Sequence, residues 1–261
     1  MKKIYILCLL FVLLFVGCTN NISAEKKVEE GFLKLEKFNN YTQNINFQIK
    51  DIKKYNGIPI VEGIIDEIIS KKYKIISKID KLNRNFNYEY YIDDECYEKV
   101  FSNSEIIATE DDGKYVINDD VILKNQIEKF DYSVFKSLLY SDVNTVEYIN
   151  DEKNQVMINV DDAFILNAVN SFFDEIDEKN LKENVDIKNL KVIYNFNEKG
   201  LINKISLNFD LTLNIGKILF SDIEFNWSDF EEFSISSNND IVFEFYDFDS
   251  TNVVIPNLVN E

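Results

Sequence analysis

The sequence predicts an α+β fold, in which an antiparallel β-sheet with one solvent-exposed face packs on about three amphipathic helices. Apolar and polar residues alternate over several segments, most clearly over residues 205–215, and this is the period of a strand with one buried face. Three other segments carry apolar residues at helical spacing. The seven glycines and two prolines form no linker, so we expect a single domain.

Residues 23–38 begin the folded part with a predicted helix, because apolar residues recur there at helical spacing and Ser23 is a reasonable N-cap. The next segments alternate in polarity or are rich in β-branched residues, and both patterns favour strands. The acidic residues 93–95 are predicted to form the turn of a hairpin. The strands predicted in this half lie at residues 41–50, within 58–79, and at 86–92, 96–101 and 115–117.

A second helix is predicted over residues 125–140 and a third over 161–176, where the apolar stripe is the clearest in the chain. Between them, a polar turn at 151–154 indicates a hairpin. The remainder alternates in polarity around a turn at 197–200, which is typical of a meander of antiparallel strands. The strands of this half are predicted at residues 143–149, 156–160, 190–196, 205–215, 223–227, 241–245 and 253–256.

The first 17 residues have the layout of a secretory signal rather than that of a domain. Lys2 and Lys3 precede a mostly apolar run of 13 residues, which is shorter than the roughly 17–25 residues that a membrane-spanning helix needs. Cys18 follows the segment Leu-Phe-Val-Gly, which resembles the lipobox of bacterial lipoproteins, although Phe15 replaces the usual leucine. We therefore expect residues 1–17 to be cleaved as a lipoprotein signal peptide. An ordinary signal with an incidental cysteine is the alternative.

Cleavage at this position would leave Cys18 as the lipidated first residue, carrying diacylglycerol and palmitate. The lipid would anchor the protein at the extracytoplasmic face of the cell membrane. Residues 18–24 would form a short tether, and residues 25–261 the domain. Cys96 then has no partner for an intramolecular disulfide, and we expect it to be a small, partly buried residue.

The formal net charge of −18 argues against a nucleic-acid partner, because an acidic surface repels phosphate backbones. The acidic runs are interpreted as solvated loops and helix faces. The alternative interpretation of the acidic residues is a calcium site, since residues 247–251 begin an EF-type pattern. However, Asn252 stands where such a loop needs glycine and Leu258 where it needs glutamate, so no metal is predicted.

The absence of histidine removes Ser-His-Asp and Cys-His catalysis and every histidine-ligated zinc site. Ser133 and Lys136 fit a Ser-x-x-Lys pattern, but the companion motifs of penicillin-binding proteins are absent. A pair of catalytic carboxylates cannot be chosen by sequence from 46 acidic residues. We therefore predict no enzyme activity, no catalytic residue and no cofactor.

Several short segments occur in a recognisable order: Asn-Tyr-Thr at 40–42, a hairpin at 91–99, a turn at 197–202 and a terminal strand ending at 254–256. This order resembles that of Gram-positive lipoproteins similar to the LolA/LppX-like lipoprotein-carrier superfamily. The resemblance implies a curved antiparallel half-barrel packed on helices, with an apolar ligand such as an acyl chain between them. It also implies that inward side chains of the strands line the cavity. These candidates are Phe47, Phe209, Leu211, Phe225 and Trp227.

Three functions are open at this point. The first is a membrane-anchored lipoprotein that binds a lipid or other hydrophobic molecule in a cavity between sheet and helices. The second is a packed-core sensor or protein-interaction lipoprotein, whose acidic surface meets a basic partner. The third is a histidine-free enzyme that works through carboxylates. A continuous apolar void between sheet and helices would separate the first function from the second.

Overall fold

The computed structural model describes residues 22–54, 70–117, 135–136, 138–141, 143–163, 165, 184–214 and 234–259. The elements with full bounds in these ranges are one α-helix, α1 (Ala24–Leu35), a 3-10 turn (Leu138–Tyr140) and twelve strands. The strands are β1 (Asn40–Lys54), β2 (Tyr73–Asp80), β3 (Asn85–Ile92), β4 (Glu95–Ser102), β5 (Ile107–Asp111), β6 (Lys114–Ile117), β7 (Thr145–Tyr148), β8 (Gln155–Asn159), β9 (Val185–Phe196), β10 (Ile202–Asn214), β11 (Ser234–Tyr246) and β12 (Leu258–Val259).

All twelve strands belong to one open sheet, in the order β12-β6-β5-β4-β3-β2-β1-β11-β10-β9-β8-β7. Neighbouring strands are antiparallel, except that the short β12 runs parallel to β6. Strand β1 joins two meanders, because it pairs with β2 on one side and with β11 on the other. The β1–β11 register sets Ile45 opposite Phe243, so residues far apart in the chain meet at the centre of the sheet.

The predicted half-barrel on about three helices is wrong. The described residues form one large, open and mainly antiparallel sheet with a single α-helix of full length. The helices predicted over 125–140 and 161–176 fall largely outside the described residues; among their described residues, 135–136, 162–163 and 165 are helical and 138–140 is a 3-10 turn. A helical stripe is a property of one segment, whereas the final structure of that segment depends on tertiary packing.

The first predicted helix is confirmed as α1 (Ala24–Leu35). Ser23 caps it, since the side-chain oxygen accepts a hydrogen bond from the backbone N–H of Lys26 at 3.3 Å. Helix α1 crosses the sheet along one face: the Tyr148 hydroxyl on β7 donates to the carbonyl of Ile22, and Lys81 after β2 donates to the carbonyl of Glu36. We call the face that carries α1 the inner face.

The core lies between α1 and the inner face at the end of the sheet where α1 crosses. Phe32 on α1 is fully buried and meets the ring of Tyr194 edge-on, with the ring centroids 5.8 Å apart. Burial raises the pKa of Tyr194, whose hydroxyl donates to the carbonyl of Phe135 at 2.8 Å. Fully buried residues around this pair are Val28, Leu35, Val156, Ile158, Val192, Ile202 and Ile205.

Gly31 is the point of closest approach between α1 and the sheet. A Cβ atom there would lie 2.7 Å from both Ile202 Cγ1 and Phe196 Cε1. Gly31→Ala should therefore lower the free energy of unfolding by about 1–2 kcal/mol, because overpacking outweighs the roughly 1 kcal/mol by which alanine favours a helix. Denaturant unfolding measures this change, with Lys26→Ala at an exposed helical position as the control. A gain in stability for Gly31→Ala would contradict the close packing.

The C-terminal segment crosses the opposite face, which we call the outer face. The Asn87 side chain on β3 accepts from the backbone N–H of Val254 at 2.8 Å and donates to its carbonyl at 3.0 Å. The hydroxyl of Thr251 likewise forms a hydrogen bond with the hydroxyl of Thr42 on β1, with the two oxygen atoms 2.9 Å apart. Phe101 lies opposite Asn87 on this face and is fully buried. The terminal strand predicted at 253–256 is wrong, since strand pairing here begins only at Leu258.

Candidate hydrophobic-ligand site

The inner face continues beyond α1 as a row of half-buried apolar side chains, which we call the apolar row. In the central strands, Ile45, Ile205 and Phe243 are buried, whereas their neighbours on the same face, Phe47, Leu207 and Ile241, are only half-buried. The cross-strand register makes the row continuous over four strands. Its members are Tyr73 and Ile75 on β2, Phe47 and Ile49 on β1, Ile241 on β11, and Leu207, Phe209 and Leu211 on β10.

Cross-strand pairs hold the apolar row together. Phe47 lies opposite Ile241 on one side and opposite Tyr73 on the other, and the rings of Phe47 and Tyr73 are 6.2 Å apart between centroids. Leu207 also lies opposite Ile241. Ile75, Leu207 and Ile241 pack against the buried core as well. The apolar row is therefore an extension of the core that α1 does not cover completely.

Two uncharged polar residues interrupt the apolar row on β11. Asn239 is fully buried opposite Phe209, and Ser237 is buried opposite Leu211. The Asn239 side-chain N–H donates to the Ser237 carbonyl at 3.2 Å and to its hydroxyl at 3.1 Å. Over residues 41–49, 205–213 and 237–245, the inner-face positions carry no charged side chain. This face therefore offers an apolar surface with a neutral polar group inside it.

The structure places three of the five predicted ligand residues on the inner face. Phe47 lies on β1, and Phe209 and Leu211 lie on β10, two strands away at about 10 Å given the usual strand spacing. Phe225 and Trp227 lie outside the described residues. Contact with a ligand stays a prediction for all five.

Sequence reasoning missed Ser237 and Asn239, although a signal for them existed. They share the parity of Ile241, Phe243 and Phe245, and β11 in fact begins at Ser234. The strand was predicted to begin only at 241, because these two inner-face positions before it are polar. Continuing the alternation past a polar residue would have found them.

A separate cavity of about 260 Å³ is polar and contains none of the predicted ligand residues. On the outer face, Asn189 donates to Asp210 at 2.8 Å, and Thr212 and Ser236 are 2.9 Å apart, oxygen to oxygen. Such a lining suits water or small polar groups better than an acyl chain. The lining residues are Asp186, Lys188, Asn189, Asp210, Thr212, Ser236 and Ser237.

Cys96 and Lys136 are the remaining candidate residues that the structure describes. Cys96 is an exposed free thiol on β4, so the prediction of a partly buried residue is wrong; the acidic turn beside it leaves it in solvent. Lys136 of the Ser-x-x-Lys pattern pairs with the Glu36 carboxylate at 2.8 Å, and Ser133 lies outside the described residues. Within the described ranges, no three acidic or cysteine side chains gather as metal ligands.

Comparison with solved structures finds six similar chains, one of which is described here. Neither a protein-family model nor a curated protein matches the sequence. The crystal structure of the Mycobacterium tuberculosis lipoprotein LppX aligns with 88% of this chain and 98% of that chain, at 7% sequence identity and a TM-score of 0.46. Similarity this low assigns no family, so function is argued below from the residues of this chain. Among the described helices, none is long and apolar enough to span a membrane.

Proposed function

We propose that this protein is a lipoprotein, held at the extracytoplasmic face of the cell membrane by lipid on Cys18, that binds a lipid or another hydrophobic molecule on its inner face. We propose no catalytic role for it. The apolar row carries the ligand-binding part of this proposal, because its eight half-buried side chains are continuous over four strands and ligand sites are lined mainly by apolar side chains. The signal-like segment before Cys18 supports the anchor.

The chemistry of the inner face favours a mainly apolar ligand. Each 100 Å² of apolar surface removed from water contributes about 2.5 kcal/mol, so covering several side chains of the apolar row can offset the entropy lost on binding. Ser237 and Asn239 are buried polar residues of this face, and because the Asn239 amide bonds to Ser237 they leave the surface neutral. Without a charged side chain on this part of the inner face, a charged head group would gain no direct ion pair there.

Truncation of the apolar row should weaken ligand binding. Phe209→Ala or Leu211→Ala should raise the dissociation constant for a fluorescent fatty acid about 5- to 30-fold, since each removes about 1–2 kcal/mol of apolar contact. Thr212→Ala is the matched control, because Thr212 follows Leu211 on β10 but faces outward. Fluorescence titration of the full-length protein measures all three variants. Equal affinities for Leu211→Ala and Thr212→Ala would argue against the apolar row as the site.

The packed-core interaction lipoprotein is the second candidate. The cavity described above has a polar lining and contains no member of the apolar row, and this observation favours a protein that uses its surface rather than a lipid cavity. In that case native mass spectrometry of the purified protein should show no adduct besides the covalent lipid. Binding to a basic partner would instead weaken with salt, because exposed charges are screened within about 8 Å at physiological ionic strength.

A further inference from the structure

Three tyrosines continue the apolar row from β2 onto β3 and β4, and we call Tyr73, Tyr90 and Tyr97 the tyrosine cluster. Tyr90 lies opposite Ile75 of the apolar row, so it belongs to the inner face. The rings of Tyr90 and Tyr97 meet edge-on, with their centroids 6.0 Å apart. Partial burial and then the neighbouring phenols of Tyr73 and Tyr97 raise the pKa of Tyr90. The three rings therefore form one aromatic surface at the end of the apolar row.

A β-bulge brings a carboxylate to the tyrosine cluster. The β3–β4 register sets Tyr90 opposite Glu98 and then shifts, so that Tyr97 is the extra residue of β4. Two residues of β4 thus lie beside one residue of β3, as is usual at a bulge. Directly opposite residues have Cβ atoms about 4.5–5.5 Å apart, and the half-buried Glu98 is therefore next to Tyr90. A regular ladder would instead turn Glu98 to the outer face.

The charge around the tyrosine cluster is negative. Lys99 follows Glu98 but points to the outer face, where its ammonium pairs with the Glu110 carboxylate at 2.8 Å. Lys71 and Lys72 precede β2 at the same rim, but the carboxylates on the β3–β4 side outnumber them. These carboxylates belong to Asp93, Asp94, Glu95 and Glu98. The rim therefore favours a positively charged group over an anionic one.

Aromatic faces attract a cation that lies within about 6 Å of the ring centroid, and a neighbouring carboxylate adds to this attraction. A quaternary ammonium carries no N–H donor, so the rings and one carboxylate can hold it without further hydrogen-bond acceptors. We propose that the tyrosine cluster and Glu98 bind the quaternary ammonium head group of an amphiphile whose chain lies along the apolar row. The inference rests on the hydrophobic ligand proposed above and specifies the head group of that ligand.

Three octyl compounds with different head groups test this inference on the full-length protein. Isothermal titration calorimetry compares octyltrimethylammonium, octanol and octanoate, which share the chain and differ in charge, at concentrations below micelle formation. The cation should bind about 5- to 30-fold more tightly than octanol, and octanoate should bind most weakly. Tetramethylammonium, which has no chain, should bind more weakly than octyltrimethylammonium because it gains nothing from the apolar row.

Substitutions in the cluster should act on the cation alone. Glu98→Gln should weaken octyltrimethylammonium binding about 3- to 5-fold, and Tyr97→Leu about 2- to 5-fold, with octanol binding unchanged. Tyr97→Phe keeps the ring and should retain the affinity. Glu105→Gln is the matched control, since it removes the same charge at an exposed position beyond the other end of β4.

Equal affinities for octyltrimethylammonium and octanol, or equal effects of Glu98→Gln and Glu105→Gln, would overturn the head-group inference and leave the apolar row as a ligand site. Equal affinities for tetramethylammonium and octyltrimethylammonium would overturn the amphiphile, because the cluster would then bind a free cation without the row. No binding of any octyl compound would overturn the proposed hydrophobic-ligand function as well.

Discussion

Phe32→Ala should lower the free energy of unfolding by about 3–5 kcal/mol, the largest loss we expect from a single side chain of α1. Phe32 is fully buried and packs edge-on against Tyr194, which is itself fully buried. The substitution removes the ring and leaves a cavity that the sheet beneath cannot fill. Because α1 is the described helix that covers the inner face, the loss should appear as a lower denaturant midpoint for the whole domain.

Leu33→Ala provides the comparison, because Leu33 is the next residue and is also apolar but is 51% exposed. Its effect should stay within about 0.5 kcal/mol, as for most surface substitutions. Chemical denaturation followed by circular dichroism measures both variants under the same conditions. Similar losses for Phe32→Ala and Leu33→Ala would mean that α1 does not pack on the sheet through the face described here.

Cys18→Ser should remove the protein from the detergent phase in a partition experiment, since it removes the only thiol at the proposed lipidation position. A single acyl chain gives only marginal membrane binding, whereas the two chains of diacylglycerol give stable anchoring. The variant is therefore expected in the aqueous phase, and its mass should lack diacylglycerol. Partition and intact-mass measurements together provide the readout.

Cys96→Ser is the control for this experiment, because it also replaces a cysteine but at an exposed position on β4. It should remain in the detergent phase with its lipid. If Cys18→Ser still partitioned into detergent, the anchor would lie elsewhere and the proposed maturation would be wrong. This outcome would leave the apolar row, and the fatty-acid titration that tests it, unaffected.

Most strand positions could be predicted because an alternation of apolar and polar residues indicates a strand with one buried face. The alternating segment that begins at Ile205 is indeed strand β10, and the predicted hairpins are present as β3–β4 and β7–β8. Strand β5 was missed, since its adjacent residues Ile107 and Ala108 are both buried. A strand that is covered on both faces loses its alternation.

The candidate site was predictable only in part. The resemblance implied that Phe47, Phe209 and Leu211 point inward, and the two-residue period of a strand puts Phe209 and Leu211 on one face of β10. Their half-burial, and the neutral pair Ser237 and Asn239 among them, depend on which parts of the folded chain cover that part of the inner face. No single segment of sequence carries that information.

The sequence by itself determined the local features of this protein: the cap and stripe of α1, the faces of its strands, the turns between them and the signal-like segment before Cys18. These depend on residues a few positions apart, through backbone period and capping. Only the tertiary structure decided that Ile45 pairs with Phe243, that α1 covers one end of the inner face and that the C-terminal segment crosses the outer face. Those choices depend on which apolar surfaces remain to be covered after distant strands have paired, and local patterns are compatible with many such arrangements.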